Sequence, residues 1–242
     1  MSVNNRNSLL FLRELRSRLI RALIIFFVVF AALFYFADDL YAFLAQPLLR
    51  FLPQGHLIAT QILSPFFVPF KLAFLSAMLL SVPFILYQVW AFTAPALYGH
   101  ERRMLWPFLI MSTLLFYMGI AFAYFVIFPM LFHFLALMAP AGVIFSPDIS
   151  AYLDFTIKLL LVFGALFEIP MIMLLLMAMG VVTRARFIKM RGYAIIGAFI
   201  VGMLLAPPDV LSQTILAIPI WLLYELGILL SYLLAKQKCK KS

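Results

Sequence analysis

The stretch LVFGALFEIPMIMLLLM, from Leu161 to Met177, contains a single charged residue, Glu168, followed two positions later by Pro170. About 20 mostly apolar residues in a helix cross the roughly 30 Å of hydrocarbon in a bilayer. Proline cannot donate a backbone hydrogen bond and interrupts a helix. The stretch therefore predicts a membrane-spanning helix with a polar notch, and it raises the question of what a carboxyl group does there.

The whole chain has the composition of an integral membrane protein. Of its 242 residues, 67% are hydrophobic and 11% are charged, whereas a soluble domain is about half apolar and about a quarter charged. The apolar runs are continuous and do not alternate, which predicts helices rather than a β-barrel. We expect a single all-α domain over residues 1–242 with six transmembrane helices, at Ile20–Phe36, Phe70–Phe92, Leu105–Leu135, Tyr152–Met179, Tyr193–Ala206 and Val210–Ala235.

The residues before the first span predict an amphipathic lead-in over residues 1–19. Leucines recur there at helical spacing, among them Leu15, Leu19 and Leu23. The arginines before this span also resemble the start of a secretory signal peptide. The span is long, however, and residues 34–39 offer no small-residue cleavage site, so we interpret it as a retained helix.

The distribution of basic residues predicts the topology. They cluster before span 1, between spans 2 and 3, between spans 4 and 5, and in the tail 236–242. Basic loops stay on the cytoplasmic side, so both termini and these two loops are expected there. Span 5 must then cross, although it has only about 21 Å of helix at 1.5 Å per residue. The segment Pro207–Pro208–Asp209 is predicted to be the tight external turn between spans 5 and 6.

Glu168 is expected near the middle of the bilayer, where a charge costs about 2.5–3.5 kcal/mol. Two functional interpretations are a docking point for another helix and a proton relay. The alternative is a structural hydrogen bond inside the bundle. Gln213 and Asp209 lie near the outer end of span 6, and Gln213 can share a polar patch with Glu168 if spans 4 and 6 pack together. Equally, Gln213 and Asp209 can be simple interfacial residues.

Glu14 and Glu101 are carboxylates in strongly basic surroundings. From the residues alone, local pairing is the favoured interpretation, because Arg18 stands four positions after Glu14 in the favourable order and Arg102 adjoins Glu101; a functional role for both is the alternative. The sequence has no motif of a hydrolase, nucleotide-binding loop or metal site, so neither an enzyme nor a cofactor is predicted. The single cysteine, Cys239, allows no internal disulfide, and the positive charge is explained by topology rather than by nucleic acid.

Five stretches together resemble one family of membrane proteins. They are LRELRSRLIRAL (12–23), LSPFFVPFKL (63–72), PFILYQVWAFTAPALYGHERR (83–103), FGALFEIPMIM (163–173) and GAFIVGMLLAPPDVLSQTILAIPIWLLYELG (197–227). In this order they resemble the TatC family, the core membrane subunit of the twin-arginine protein translocase.

The resemblance implies a receptor in the bacterial inner membrane that exports folded proteins, driven by the proton-motive force. Its implied partners are TatA-type and TatB-type single-helix proteins, signal peptides with two consecutive arginines, and further copies of itself. The positions implied in signal-peptide binding are Glu14, Arg16, Leu19, Phe92 and Glu101. Glu168 and Gln213 match polar positions that we connect with partner docking, and Pro47 and Asp209 match other functional or structural positions. Lys158, and Arg13 beside Glu14, depart from the family pattern.

Two other classes of function stay open on the residues alone. An ion-coupled secondary transporter would use Glu168 as its proton carrier and predicts a discontinuous helix pair with a small-molecule cavity at the midplane. A passive scaffold would make no contact with cargo. Binding of an isolated signal peptide distinguishes the translocase receptor from both.

Overall fold

The computed structural model describes residues 2–35, 64–93, 105–138, 148–206 and 209–241. All elements of regular secondary structure in these ranges are helices. Continuous apolar sequence explains this, because helices satisfy all backbone groups within one segment. In chain order the helices are α1 (Ser2–Phe34), α2 (Ser64–Thr93), α3 (Leu105–Phe122), a π-helical turn (Ala123–Ile127), α4 (Phe128–Met138), α5 (Ile149–Phe167), α6 (Ile169–Ala178), α7 (Arg184–Lys189), α8 (Arg191–Leu205) and α9 (Val210–Lys241).

Five of the helical segments are long and apolar enough to cross a membrane. They are Arg13–Phe34, Phe66–Ala91, Trp106–Phe134, Ile149–Ala178 and Val210–Tyr232. The fifth predicted span, Tyr193–Ala206, corresponds to the shorter apolar helix α8, of 15 residues. The prediction of an all-helical membrane protein is confirmed.

The helices begin, break and end at positions that differ from the limits of the predicted spans. α1 is one helix from Ser2, so no break separates the predicted lead-in from span 1. The predicted span Tyr152–Met179 is interrupted at Glu168 and ends at Ala178. α9 continues to Lys241, so the predicted tail is largely helical. Hydropathy marks where a helix meets lipid, whereas hydrogen bonding decides where the helix begins, breaks and ends.

The chain divides into two compact units, and the first comprises residues 1–44 and 65–113. In it, α1 and α2 pack through phenylalanines. Phe26 contacts Phe74, with ring centroids 5.3 Å apart, and Phe30 contacts Phe70 at 5.1 Å. Later residues of α1 therefore meet earlier residues of α2, so these two helices run antiparallel.

The second unit comprises residues 45–64 and 114–242. Its first layer is the antiparallel packing of the α3–α4 segment against α5, and two glycines bring the helices close. A Cβ on Gly119 would lie 2.6 Å from the carbonyl oxygen of Phe163, and one on Gly164 would lie 2.7 Å from the ring of Phe116. Small residues allow such close approach of membrane helices, and Phe128 and Tyr152 continue the contact towards the start of α5.

The second layer of this unit packs α6, α7 and α8 against α9. Met173 of α6, Phe187 of α7 and Ile228 of α9 form one buried apolar cluster. Ala198 of α8 packs with Ala217 and Ile220 of α9 in another. The three helices that follow Glu168, α6, α7 and α8, therefore all pack against α9.

Candidate functional site

The first candidate site is the amino-terminal part of α1, where Glu14 accepts two hydrogen bonds from Arg18. The Oε1 atom of Glu14 lies 2.6 Å from Nη2 and 3.1 Å from Nε of Arg18. The predicted local pair is thus confirmed. The Glu14 side chain is still 43% exposed, so the carboxylate stays accessible despite this pair.

Arg16, between the two residues of this pair in the sequence, and Leu19, directly after it, are both exposed, Leu19 by 60%. Leu15 and Leu23 are also exposed and lie on the same stripe as Leu19. The segment therefore has a carboxylate on one side of the helix and an apolar stripe on another. Such a surface can bind a peptide that is both charged and partly apolar.

Packing within the first unit brings the start of α1 and the end of α2 to the same end of the unit. The helices are antiparallel at the Phe26–Phe74 contact. The N-terminal part of α1 and the C-terminal part of α2 therefore extend from this contact in the same direction. Phe92 lies on the last turn of α2, and only the backbone of this residue is described. Glu101 and Pro47 lie outside the described residues.

A buried contact fastens α2 to α3 on either side of residues 94–104. The indole Nε1 of Trp90 donates to the hydroxyl of Ser112 at 3.1 Å, and the Trp90 ring stacks on Phe108 at 5.4 Å. Buried tryptophan normally has a partner for its N–H. This contact fixes the helix ends from which the segment containing Glu101 extends.

The second candidate site is the junction of α5 and α6 at Glu168, which is 8% exposed. The backbone N–H of Glu168 donates to the carbonyl of Ala165 at 3.1 Å, three residues back, and that of Ile172 donates to the carbonyl of Glu168 at 2.9 Å. Pro170 lacks an N–H, so the carbonyl of Leu166 loses its donor four residues on. The interruption covers one residue, and the backbone of Glu168 stays in the right-handed helical region.

The α9 residues that contact the α5–α6 junction show where Glu168 lies along the axis of α9 relative to Gln213. Leu166 packs against the cluster containing Ala217, and the Cα of Pro170 lies 3.3 Å from a Cβ placed on Gly227. Ala217 and Gly227 are about 6 Å and 21 Å beyond Gln213 along an ideal helix. Glu168 and Gln213 therefore lie at different levels of α9, and the shared polar patch stays a prediction.

Asp209 and Gln213 form the start of α9. The Oδ2 atom of Asp209 accepts from the N–H of Ser212 at 2.7 Å, and the carbonyl of Asp209 accepts from the N–H of Gln213 at 3.2 Å. Asp209 is thus the helix N-cap, a position at which aspartate stabilises a helix by about 0.5–2 kcal/mol relative to alanine. Gln213 is half-buried, and its backbone carbonyl is 3.1 Å from a Cβ built on Gly202 of α8.

Sequence reasoning missed a group of contacts in the middle of α9. Arg191 forms an ion pair with Glu225 at 2.7 Å, and the hydroxyl of Tyr224 donates to the carbonyl of Phe187 at 2.8 Å. The sequence did contain a signal for this contact, because Glu225 is a carboxylate within an otherwise apolar span. Its partner is 34 residues away in the sequence, which no local pattern could identify. In the part of the chain that the structure describes, no three His, Cys, Asp or Glu side chains come together as a metal site.

Comparison with known proteins gives one consistent result. Residues 10–219 match the family model for the Sec-independent protein translocase protein TatC. The translocase protein TatC of Escherichia coli strain K12 is 52% identical over 233 residues, which are 96% of this chain and 90% of that protein. The TatC protein of Aquifex aeolicus is 38% identical over 229 residues, 94% of this chain and 95% of that protein.

Solved structures agree with this result. A crystal structure of the twin-arginine translocase receptor TatC has a TM-score of 0.83 and 39% identity, and the match covers 92% of this chain and 98% of that one. A second crystal structure of that receptor, in DDM, has a TM-score of 0.84 and 38% identity, with 91% and 99% coverage. The likeness therefore extends over almost the whole chain and includes the fold.

Proposed function

The chain belongs to the TatC family of Sec-independent protein translocase subunits, and from that premise we propose that it is the receptor for twin-arginine signal peptides. As a family member it is a multi-pass protein of the bacterial inner membrane and a transport component rather than an enzyme. It takes part in the export of proteins without the Sec pathway. We propose the binding of the signal peptide as its role in export, together with the residues and the partners named below.

The observation that carries the receptor proposal is the exposed Glu14 carboxylate at the end of the first unit where α2 also ends. Glu101 follows the end of α2 by eight residues in the sequence. A guanidinium pairs with a carboxylate through two parallel hydrogen bonds, which an ammonium cannot do. We infer that the carboxylates of Glu14 and Glu101 recognise the two arginines, and that Arg16, Leu19 and Phe92 contact the rest of the peptide.

A binding measurement tests this proposal. A fluorescent peptide with the twin-arginine motif is titrated into the purified full-length chain in detergent, beside the same peptide with two lysines. We expect the arginine peptide to bind at least tenfold more tightly. Equal affinities would mean that bidentate pairing is absent and would reject the receptor assignment to these carboxylates.

Arg18 competes with the peptide for Glu14, and its removal should therefore strengthen binding slightly. An exposed pair at this spacing contributes about 0.3–0.5 kcal/mol, so Arg18→Gln should raise the affinity for the twin-arginine peptide by about twofold. The same titration measures it, with Arg21→Gln as the matched control, since Arg21 contacts Ser17 rather than a carboxylate. A tenfold loss for Arg18→Gln would show that Arg18 belongs to the binding surface.

We further propose that six helices span the membrane and that both termini are cytoplasmic. The five long apolar helices and the basic clusters support this. α8 forms span 5 with about 22 Å of helix, which requires the bilayer to thin or the flanking residues to extend to the interface.

Cysteine labelling tests the short span. In a Cys239→Ser background, Gly192→Cys and Pro207→Cys should both react with a water-soluble maleimide in intact membranes, from opposite sides. Gly197→Cys, in the middle of α8, is the control that should stay unreactive. Labelling of both end positions from the same side would show that α8 does not cross.

We also propose that Glu168 and Gln213 receive polar side chains from the transmembrane helix of a TatA-type or TatB-type partner. Glu168 is nearly buried, in surroundings of low dielectric where a hydrogen bond to a partner helix is strong. Because the two residues lie at different levels of α9, a partner helix running beside α9 would meet them in succession.

A further inference from the structure

The short helix α7 presents cations and apolar side chains together. Arg186 and Lys189 are exposed, and so are Ile188, by 38%, and Met190, by 43%. Phe187 points the other way and is buried in the cluster with α6 and α9. A helix that exposes basic and apolar groups side by side is typical of the headgroup region of a membrane.

Positive charge exceeds negative charge around α7. Four cations lie between residues 184 and 191, whereas Glu225 is the one carboxylate within α6, α7, α8 and α9. Glu225 pairs with Arg191, and the guanidinium of Arg184 lies 4.8 Å from the centre of the Tyr232 ring. No ion pair of Arg186 or Lys189 exists among the described side chains. The cluster thus retains a net positive charge after its internal contacts are formed.

An apolar groove begins next to these cations and follows α8. Its volume is about 330 Å³, and the α8 residues in its wall are spaced as one face of a helix. The face extends about 16 Å at 1.5 Å per residue, which is close to half the thickness of the hydrocarbon. The wall residues include Ile169, Met190, Ala194, Gly197, Val201 and Ile220.

From the juxtaposition of these two features we propose that the groove beside α8 binds an anionic phospholipid. One acyl chain lies in the groove, and the phosphate contacts Arg186 and Lys189, with Arg184 held nearby by Tyr232. Basic pockets between membrane helices bind anionic headgroups in this way. A zwitterionic lipid would fill the groove equally well but would leave the excess positive charge unmatched, so charge is the basis of selectivity.

Native mass spectrometry of the full-length chain in detergent tests this site, with phosphatidylglycerol and phosphatidylcholine of identical acyl chains as probes. Each basic residue near an anionic surface contributes about fivefold to affinity. Arg186→Gln/Lys189→Gln should therefore weaken phosphatidylglycerol binding by roughly 30-fold and leave phosphatidylcholine unchanged. Arg13→Gln/Lys158→Gln is the matched control, because it removes two exposed cations elsewhere and should have little effect.

A second variant tests the groove itself. Gly197→Leu fills it, and a Cβ at Gly197 meets no atom within 4 Å, so the fold should tolerate the change. We expect weaker retention of both lipids, with an unchanged elution volume and thermal midpoint as evidence of folding. The site and its charge selectivity are thus measured separately.

Three outcomes would overturn the proposal. The first is equal retention of the two lipids by the unaltered chain. The second is loss of binding in Gly197→Leu but not in Arg186→Gln/Lys189→Gln, which would indicate an occupant recognised by apolar shape alone, such as a partner helix. The third is displacement of the lipid by millimolar inorganic phosphate, which would show that the cations bind a free anion rather than a lipid.

Discussion

Replacing Glu168 with leucine should abolish most protein export, whereas replacing it with glutamine should preserve much of it. Glutamine retains a donor and an acceptor of similar size, so it can still pair with a polar side chain of a partner helix. Leucine retains neither and would leave the partner's polar group unmatched in a low-dielectric notch, at about 1–3 kcal/mol. We expect co-purification of the partner to fall at least tenfold for Glu168→Leu and by no more than a few-fold for Glu168→Gln.

The measurements are export of a folded reporter in cells and recovery of the partner from detergent extracts. Thr156→Val is the matched control, since it removes a fully buried hydroxyl from the same span while keeping its shape. Signal-peptide binding should be nearly unchanged in all three variants. If Glu168→Gln stops export as completely as leucine while the partner still co-purifies, titration of the carboxyl is essential and a proton relay replaces docking.

The second large effect is expected at Glu101. Glu101→Gln keeps the size of the side chain and removes its charge. A hydrogen bond between charged groups in a partly shielded site contributes about 1.5–3 kcal/mol, so the twin-arginine peptide should bind about 10- to 150-fold more weakly. The penalty for exchanging its arginines for lysines should also shrink, because bidentate pairing is then lost in both cases.

Peptide titration with the purified chain measures both quantities. Glu225→Gln is the matched control, because it neutralises a carboxylate that pairs with Arg191 instead. Unchanged affinity for Glu101→Gln would remove Glu101 from the site and leave Glu14 as the sole carboxylate of the receptor hypothesis.

The sequence could predict the helical membrane fold because composition alone excludes a water-soluble core. It could also predict the Glu14–Arg18 pair, because four residues along a helix bring two side chains together. Both are local properties of the chain. The resemblance of the five motifs to TatC was likewise visible without any structure, and the comparisons confirm it.

The rest depends on contacts between distant segments. The ion pair of Arg191 with Glu225 and the close approach of Gly119 to Phe163 require the packed unit. The different levels of Glu168 and Gln213 follow from the way α5 and α6 pack on α9, which hydropathy does not encode. The exact break at Glu168 depends on the competition between Pro170 and the surrounding helix for backbone hydrogen bonds.

The helix break at Glu168 is also a feature of the rival interpretation as an ion-coupled transporter. A transporter site of that class uses unwound backbone to coordinate its ion. Here the interruption is a single residue with φ −75° and ψ −14°, so the backbone stays compact. The family assignment favours the translocase, and the geometry of Glu168 is consistent with side-chain docking.

Photocrosslinking from Leu19 tests the central claim most directly. A benzophenone amino acid replaces Leu19, which is exposed beside Glu14, and a labelled twin-arginine signal peptide is added to membranes containing the full chain. The account predicts a crosslink that excess unlabelled twin-arginine peptide removes, that a twin-lysine peptide does not remove, and that Glu14→Gln/Glu101→Gln abolishes. A crosslink that both competitors remove equally, or that survives the double substitution, would contradict recognition of the arginine pair by these carboxylates.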